Sequence, residues 1–467
     1  MKNKNLLEQL RNGEQLRFQE QLLLTIQLSI PAILAQISSI IMQYIDAAMV
    51  GHLGANGSAS IGLVSSSTWL MGGLCTAAGT GFTVQVAQKI GAKEDQKARS
   101  IVRQGLAAVF LFSCVLLLTG VGISRRLPVW LGGDTVICPD AASYFMVYSL
   151  FIPALQLNSA AGGMLQCSGN MKLPSILHIL MCFLDVIFNL LLIFPTRQIW
   201  AAGVELTMPG AGLGVTGAAL GTALAELVTA CLMLYFLLVR SPMLHLRRGE
   251  RLALDTKDLK RALKIAVPVG FEQIVMCGAQ IMSTKIVAPL GTIAIAANSL
   301  AVTAESLCYM PGYGIGSAAT TLIGQSIGAG RKDLTKRLGW LTTGLGMAVM
   351  TGSGVLLFIF APFMIGMLSP DPAIRELGAR VLRIEAFAEP MYAASIVASG
   401  VFRGAGDTFV PSCMNFFSMW LVRIPLSAFL AARLGLEGVW IAMCTELCVR
   451  GALFLIRLKG RRWQHAV

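Results

Sequence analysis

The chain has 467 residues, of which 55% are hydrophobic and only 13% are charged. Soluble domains carry about 25% charged residues, so the composition excludes an ordinary soluble protein and predicts a chain embedded largely in lipid. The net charge is +13, but the excess Lys and Arg lie in a few loops. That distribution indicates membrane orientation and contact with lipid headgroups, and it argues against nucleic acid as a partner.

Apolar runs long enough to cross a bilayer recur twelve times. Each holds about 20 or more residues, and at about 1.5 Å per residue this covers the roughly 30 Å of hydrocarbon. The sequence therefore predicts an all-α membrane protein with twelve transmembrane helices. The predicted spans are 22–50, 57–85, 101–122, 141–166, 173–194, 213–239, 262–287, 294–324, 338–364, 380–402, 409–431 and 437–456.

The first span carries one acid within an apolar helix. A carboxyl at a bilayer centre costs roughly 2.5–3.5 kcal/mol, so it normally faces a cavity or a partner. We predict that this Asp faces protein, and the alternative is a helix end in headgroup water. Pro31 in the same helix predicts a bend, because proline removes one backbone hydrogen bond. The polar residues share one helical face and are Ser29, Gln36, Ser39, Gln43 and Asp46.

Positive charge predicts the orientation. If the N-terminus is cytoplasmic, most of the 37 Lys and Arg residues fall in inside segments, including residues 89–103, 240–264 and 331–337. The outside loops hold only a few, such as Arg125 and Arg197. By the positive-inside rule, both termini are predicted to be cytoplasmic.

The chain contains two related halves. A constant shift of 237 residues, the separation of Pro31 from Pro268, also lays residues 88–92 on 325–329. Six spans per half is an even number, so both halves enter the membrane in the same direction. This predicts two pseudo-symmetric six-helix bundles with a cleft between them.

The repeat also predicts the domain boundaries. The loop 195–212 is longer than its counterpart in the second half and reads as an insertion on the outer side. The predicted domains are an N-terminal bundle, 1–240, a cytoplasmic linker, 241–261, and a C-terminal bundle, 262–467.

The chemistry-bearing residue types give no sign of catalysis. The eleven Cys residues include no CxxC pair, and the four His residues are far apart. We therefore predict no metal-ligand cluster of the usual spacing, no catalytic constellation, no cofactor and no enzyme. A channel filter motif is also missing from the sequence, which argues against a channel.

Several motifs, taken in order, resemble those of the multidrug and toxic compound extrusion (MATE) transporters over essentially the whole chain, and look closer to their DinF-like prokaryotic branch. They include IDAAMVGHLG, VAQKIGAKEDQKA, TLIGQSIGAGRKD and GVFRGAGDTFVP. The resemblance implies a cation-coupled antiporter of a prokaryotic inner membrane. It would export organic, often cationic, compounds in exchange for H⁺ or Na⁺. We expect a monomer surrounded by membrane lipid.

The resemblance also implies a coupling site. Family members with an acidic first span pair it with an Asn and an Asp, four residues apart on the fifth span, and with a Thr on the sixth. Here that order is inverted, with Asp185 at the Asn-like position and Asn189 at the Asp-like position, while Thr222 matches the Thr. With Asp46, these residues form the predicted H⁺ or Na⁺ site, and their distances from the outer span ends place them in one layer.

Other polar residues of the spans are less specific. The cleft candidates are Gln36, Gln43, Glu272 and Gln273. For the acid on the seventh span, the alternative is structural pairing of helices at the cytoplasmic side. The remaining acids of the spans are predicted to be paired structural charges. They are Glu226, Glu305, Glu385, Glu389 and Glu446, with Lys285, Arg403, Arg423 and Arg450 as available partners.

An alternative function is the flipping of lipid-linked sugars or metabolites on a related two-bundle fold. For a flippase we would expect a more basic cavity and often additional spans. The residues leave open the identity of the cargo and the choice between H⁺ and Na⁺.

The predicted orientation can be tested by labelling single cysteines from outside intact cells. In a background without native cysteines, we expect Gln198→Cys to react with an impermeant maleimide and His245→Cys to stay unmodified. The reason is that the Lys and Arg excess places the segment around residue 245 inside. Labelling at 245 without labelling at 198 would contradict the orientation.

Overall fold

The computed structural model describes residues 6–201, 204–247 and 255–465. Most of these residues are in α-helices joined by short turns. The helices are α1 (Leu6–Arg11), α2 (Phe18–Gly51), α3 (Ala55–Gly91), α4 (Asp95–Ile123), α5 (Leu127–Trp130), α6 (Cys138–Cys167), α7 (Lys172–Leu192), α8 (Gly214–Tyr235), α9 (Thr256–Val287), α10 (Thr292–Gly328), α11 (Lys332–Leu368), α12 (Pro372–Ala386), α13 (Glu389–Ala405), α14 (Phe409–Phe416), α15 (Ile424–Leu434) and α16 (Leu436–Lys459).

Ten helical stretches within the described residues are long and apolar enough to cross a membrane. The chain is an integral membrane protein, and the predicted helical membrane fold is confirmed. Two of the twelve predicted spans, 141–166 and 380–402, fall outside these ten. The first coincides with α6, which carries several Ser, Asn and Gln residues in its second half.

The second of these spans, 380–402, needs correction because the chain forms two helices there. α12 ends at Ala386 and α13 begins at Glu389. Pro390 therefore lies in the first turn of α13, where its missing N–H is not needed. Inside one continuous helix the same proline would remove a hydrogen bond and clash with the preceding turn.

The predicted insertion between the fifth and sixth spans is a β-hairpin. Strand β1 (Pro195–Ala201) pairs antiparallel with β2 (Val204–Ala211). The first strand contains Thr, Ile and Trp, residue types that favour an extended backbone. The all-α prediction therefore omitted one short two-stranded element. Residues 202–203 lie outside the described part of the chain.

The chain divides into two compact units. The boundaries of these units differ from those of the predicted domains. The predicted domains follow the sequence repeat, and they stay a prediction. Of the predicted linker, residues 248–254 lie outside the described residues. The units are the N unit (38–83 and 95–262) and the C unit (1–37, 84–94 and 263–467).

Within the N unit, α7 and α8 approach each other closely at two glycines. A Cβ at Gly217 would overlap the carbonyl oxygen of Leu192, and a Cβ at Gly221 would overlap the side chain of Asn189. Small residues at a helix interface allow the backbones to pack at short range. This packing brings the polar face of α7 directly against α8.

Within the C unit, α10 and α13 pack in the same way. A Cβ at Gly400 would overlap the carbonyl oxygen of Gly316. Beside this contact, Thr320 Oγ1 donates a hydrogen bond to the carbonyl of Gly400 at 2.9 Å. The two helices are therefore joined by both close packing and an interhelical hydrogen bond.

The C unit also contains a reciprocal contact between the two sequence repeats. A Cβ added at Gly91 would overlap the carbonyl oxygen of Gln325, and a Cβ added at Gly328 would overlap that of Gln88. Gly91 and Gly328 are the last residues of α3 and α10, and the shift of 237 residues relates them. The same contact therefore occurs twice with the two repeats exchanged, and glycine is required on both sides.

We predict that Gly91→Ala and Gly328→Ala each destabilise the protein by about 1–3 kcal/mol, because the added methyl group must displace backbone atoms. A matched control is Gly344→Ala in α11, where an added Cβ meets nothing within 4 Å. That change should be neutral or slightly stabilising. Thermal unfolding of the purified proteins measures the differences, and equal Tm values for all three variants would contradict the close contact.

Candidate functional site

Two carboxyl groups of the N unit are bridged by one amide. Asn189 Nδ2 donates to Asp46 Oδ1 at 2.9 Å and to Asp185 Oδ2 at 3.1 Å. Asp185 and Asn189 are 0% and 1% exposed, while Asp46 is half-buried. The inverted order of Asp185 and Asn189 still allows both side chains to lie in the same site, because residues four apart lie on one face of α7.

Thr222 joins this cluster from α8. The Thr222 hydroxyl donates to the carbonyl of Ala218 in its own helix at 3.3 Å and lies near the carboxyl of Asp185, which is also near that of Asp46. The structure thus brings together the four residues predicted for cation coupling. We call Asp46, Asp185, Asn189 and Thr222 the carboxyl cluster.

Two oxygen atoms of the carboxyl cluster are left without a hydrogen bond. Asp185 Oδ1 and Asn189 Oδ1 are buried and have no donor among the described residues. A buried unsatisfied acceptor costs roughly 1–3 kcal/mol. Two neighbouring carboxyls also disfavour being ionised together. Both features favour the arrival of positive charge.

The oxygen-only composition of the carboxyl cluster limits what it could hold. The described residues contain no group of three or more His, Cys, Asp or Glu side chains suited to a metal ion. Here two carboxyls are combined with amide and hydroxyl oxygens, which are ligands for a hard cation. The cluster is therefore chemically suited to a proton or a small alkali cation rather than to a transition metal.

Gly221 is a positioning residue that the sequence reasoning did not identify. A Cβ at this position would overlap Asn189 Oδ1. The missing side chain therefore leaves the room in which the bridging amide lies. The available signal was a glycine inside an apolar helix, directly before Thr222.

The cleft candidates on α2 lie apart from these hydrogen bonds. Gln36 is half-buried and belongs to the C unit, while Gln43 is exposed and belongs to the N unit. α2 continues through Pro31 as a helix. The bend at Pro31 and the contact of both glutamines with a cleft stay predictions.

Glu272 has its own partners in the C unit. Asn415 Nδ2 donates to Glu272 Oε1 at 2.7 Å, Ser412 Oγ donates to Oε2 at 3.3 Å, and Arg403 lies 3.9 Å from Oε1. This geometry is that of the structural alternative. The adjacent Gln273 is half-buried, and a cleft role for either residue stays a prediction.

The other buried acids of the C unit differ in their pairing. Glu446 forms a bidentate ion pair with Arg450, with both N–O distances 2.7 Å. Glu385 and Glu389 are 0% exposed, and none of their carboxyl oxygens has a hydrogen-bond partner among the described residues. The predicted pairing therefore holds for Glu446 and is not found as a hydrogen bond at Glu385 or Glu389.

The family profile and the similar proteins point to the same family. The MatE family profile matches residues 31–191 and 268–429. The chain is 26% identical over 451 residues to a probable multidrug resistance protein NorM of Thermotoga maritima, covering 94% of this chain and 92% of that protein. The closer resemblance to the DinF-like branch stays a prediction.

Solved structures share the fold. One is the outward-facing conformation of a multidrug resistance MATE family transporter of the MOP superfamily, with a TM-score of 0.89, 19% identity, and coverage of 100% of this chain and 99% of that one. Another is a MOP superfamily transporter from Pyrococcus furiosus, described as having a binding pocket of reverse polarity. Its TM-score is 0.88 at 18% identity, over 99% of this chain and 100% of that one.

The bridging amide can be tested by a double-mutant cycle. Asn189→Ala should cost about 1–3 kcal/mol of unfolding free energy, because both carboxyls lose a donor. In the double variant with Asp46→Asn, a new amide faces Asp185, so we expect about 0.5–3 kcal/mol of coupling between the two sites. Denaturant unfolding of the four proteins measures this coupling, and strict additivity would show that Asn189 does not connect the carboxyls.

Proposed function

The chain belongs to the MatE family of multidrug efflux transporters, and we propose that it works as a secondary active antiporter. It exchanges H⁺ or Na⁺ for organic, often cationic, compounds by alternating access. The name of the Thermotoga relative supports export of several compounds. The carboxyl cluster of the N unit supports coupling to a cation.

One observation carries the coupling proposal. The carboxyls of Asp46 and Asp185 share the amide of Asn189 as hydrogen-bond donor. Two buried oxygens of this group, Asp185 Oδ1 and Asn189 Oδ1, have no hydrogen-bond partner among the described residues. Such a group of oxygens gains a partner when a proton or sodium ion binds. Its burial leaves Asp185 out of reach of a drug-sized molecule, so the coupling ion and the cargo need different contacts.

Coupling then follows from differential binding. A cation that binds one conformation about a hundredfold more tightly than the other shifts their equilibrium by about 2.7 kcal/mol. Binding of positive charge at Asp46 and Asp185 also removes the negative charge that attracts a cationic cargo. Cation entry and cargo release are therefore linked, which is the requirement for antiport.

The two candidate ions would use the carboxyl cluster differently. A proton would reside on one of the two carboxyls and become a donor to the other. Sodium would be bound by carboxylate oxygens together with Asn189 Oδ1 and the Thr222 hydroxyl. Asp46 lies about four helical turns after Pro31 on α2. Binding of either ion could therefore cause this helix to repack around its proline.

Location and assembly are part of the same proposal. The similarity to a bacterial protein supports a prokaryotic inner-membrane location, and the charge distribution supports cytoplasmic termini. The resemblance supports a monomer in lipid whose cargo is a small organic molecule.

We predict that Asp46→Asn abolishes gradient-driven export while folded protein remains in the membrane, because the amide can neither be protonated nor donate a charged oxygen to sodium. Proteoliposomes with pH and sodium gradients imposed separately, and ethidium as cargo, measure this. Asp140→Asn is the matched control, because Asp140 is an exposed acid of the same unit. Uphill export by Asp46→Asn at the parent's rate would disprove the mechanism.

A further inference from the structure

A second carboxyl site lies on α8, one turn beyond Thr222. Asn158 of α6 donates its Nδ2 to Glu226 Oε2 at 2.6 Å. Asn158 is 2% exposed, and its Oδ1 is buried without a partner among the described residues. Glu226 is half-buried, and its Oε1 accepts no hydrogen bond from the described residues. The carboxyl is thus held at one oxygen and available at the other.

Glu226 differs from the arginine-paired acids of the C unit. Glu272, Asp407 and Glu446 each lie against an arginine. Glu226 has no such ion pair among the described residues, and the nearby Asp185 adds negative potential. The expected ion pair of Glu226 is therefore not found among the described residues, and its hydrogen-bond partner is the amide of Asn158.

The amide that holds Glu226 has apolar and polarisable neighbours. Met181 Sδ lies 3.8 Å from Asn158 Nδ2. Met181 also packs in an apolar cluster with Met42, with Phe188, and with Ala225, which directly precedes Glu226 on α8. Thioether and aromatic surfaces close to a carboxyl that lacks an arginine partner favour a large, weakly hydrated cation. A hard inorganic cation needs more oxygen ligands than this site offers.

We propose, on the basis of the export function above, that Glu226 binds the charged group of organic cations. Asn158 orients the carboxyl, and the adjacent methionine and aromatic groups contact the apolar part of the cargo. This subsite is distinct from the carboxyl cluster, and it sets the preference for cationic over neutral compounds. Asp185 is the member of the carboxyl cluster whose charge acts on Glu226, and it links the occupancy of one site to the affinity of the other.

The test is equilibrium binding to purified protein in detergent, without any gradient. The probes are tetraphenylphosphonium, a cation, and triphenylphosphine oxide, a neutral compound with similar aryl groups. Glu226→Gln keeps the shape and an acceptor for Asn158, but it removes the charge. We expect this variant to bind the phosphonium at least about tenfold more weakly and the neutral oxide with unchanged affinity. Glu226→Asp should retain part of the preference.

Glu437→Gln is the matched control, because it makes the same change at an acid paired with Arg380 in the C unit, and it should leave both affinities unchanged. Unchanged phosphonium binding in Glu226→Gln, or an equal loss for both probes, would overturn the proposal. The proposed coupling fails separately, through uphill export by Asp46→Asn, and that result would leave the binding measurement intact.

Discussion

A carboxyl buried between apolar helices needs a donor or a positive charge, and the N unit provides one amide for two of them. The rest of the site depends on this lack of hydrogen-bond donors. The spacing of Asp185 and Asn189 on one face of α7 allows the amide to reach both carboxyls. Gly221 allows α8 to approach without displacing that amide. Because two buried oxygens of the site have no donor among the described residues, binding of an external cation can change the energy of the site.

The two repeats share a scaffold but not this chemistry. Under the shift of 237 residues, the counterpart of Asp46 is Ser283, and those of Asp185 and Asn189 are Val422 and Leu426. The C unit has buried acids of its own, several of which are neutralised by arginines, from another helix at Glu272 and from the same helix at Glu446. A pseudo-symmetric fold therefore carries an asymmetric distribution of charge, in which the carboxyl cluster occurs in the first half only.

Local patterns in the sequence predicted most of the helices, because apolar runs of membrane length are a property of each segment alone. These patterns failed where a short segment breaks a helix. Pro390 was a visible signal for the break between α12 and α13, but the apolar residues after it suggested one span. Asp46 was visible as an acid within an apolar run, while Asp185, Asn189 and Thr222 followed from the family resemblance. The contact of Asn158 with Glu226 joins positions 68 apart, and no local pattern encodes a contact of that kind.

The reciprocal contact of Gly91 with Gln325 and of Gly328 with Gln88 has the form of an isologous interface, in which the same patch is used on both sides. A chain with only one repeat would therefore present a self-complementary surface and could associate with an identical copy through it. Joining two such copies in one polypeptide keeps the interface and frees each half to mutate independently. The unequal charges of the two halves require that freedom, because identical subunits would have to change together.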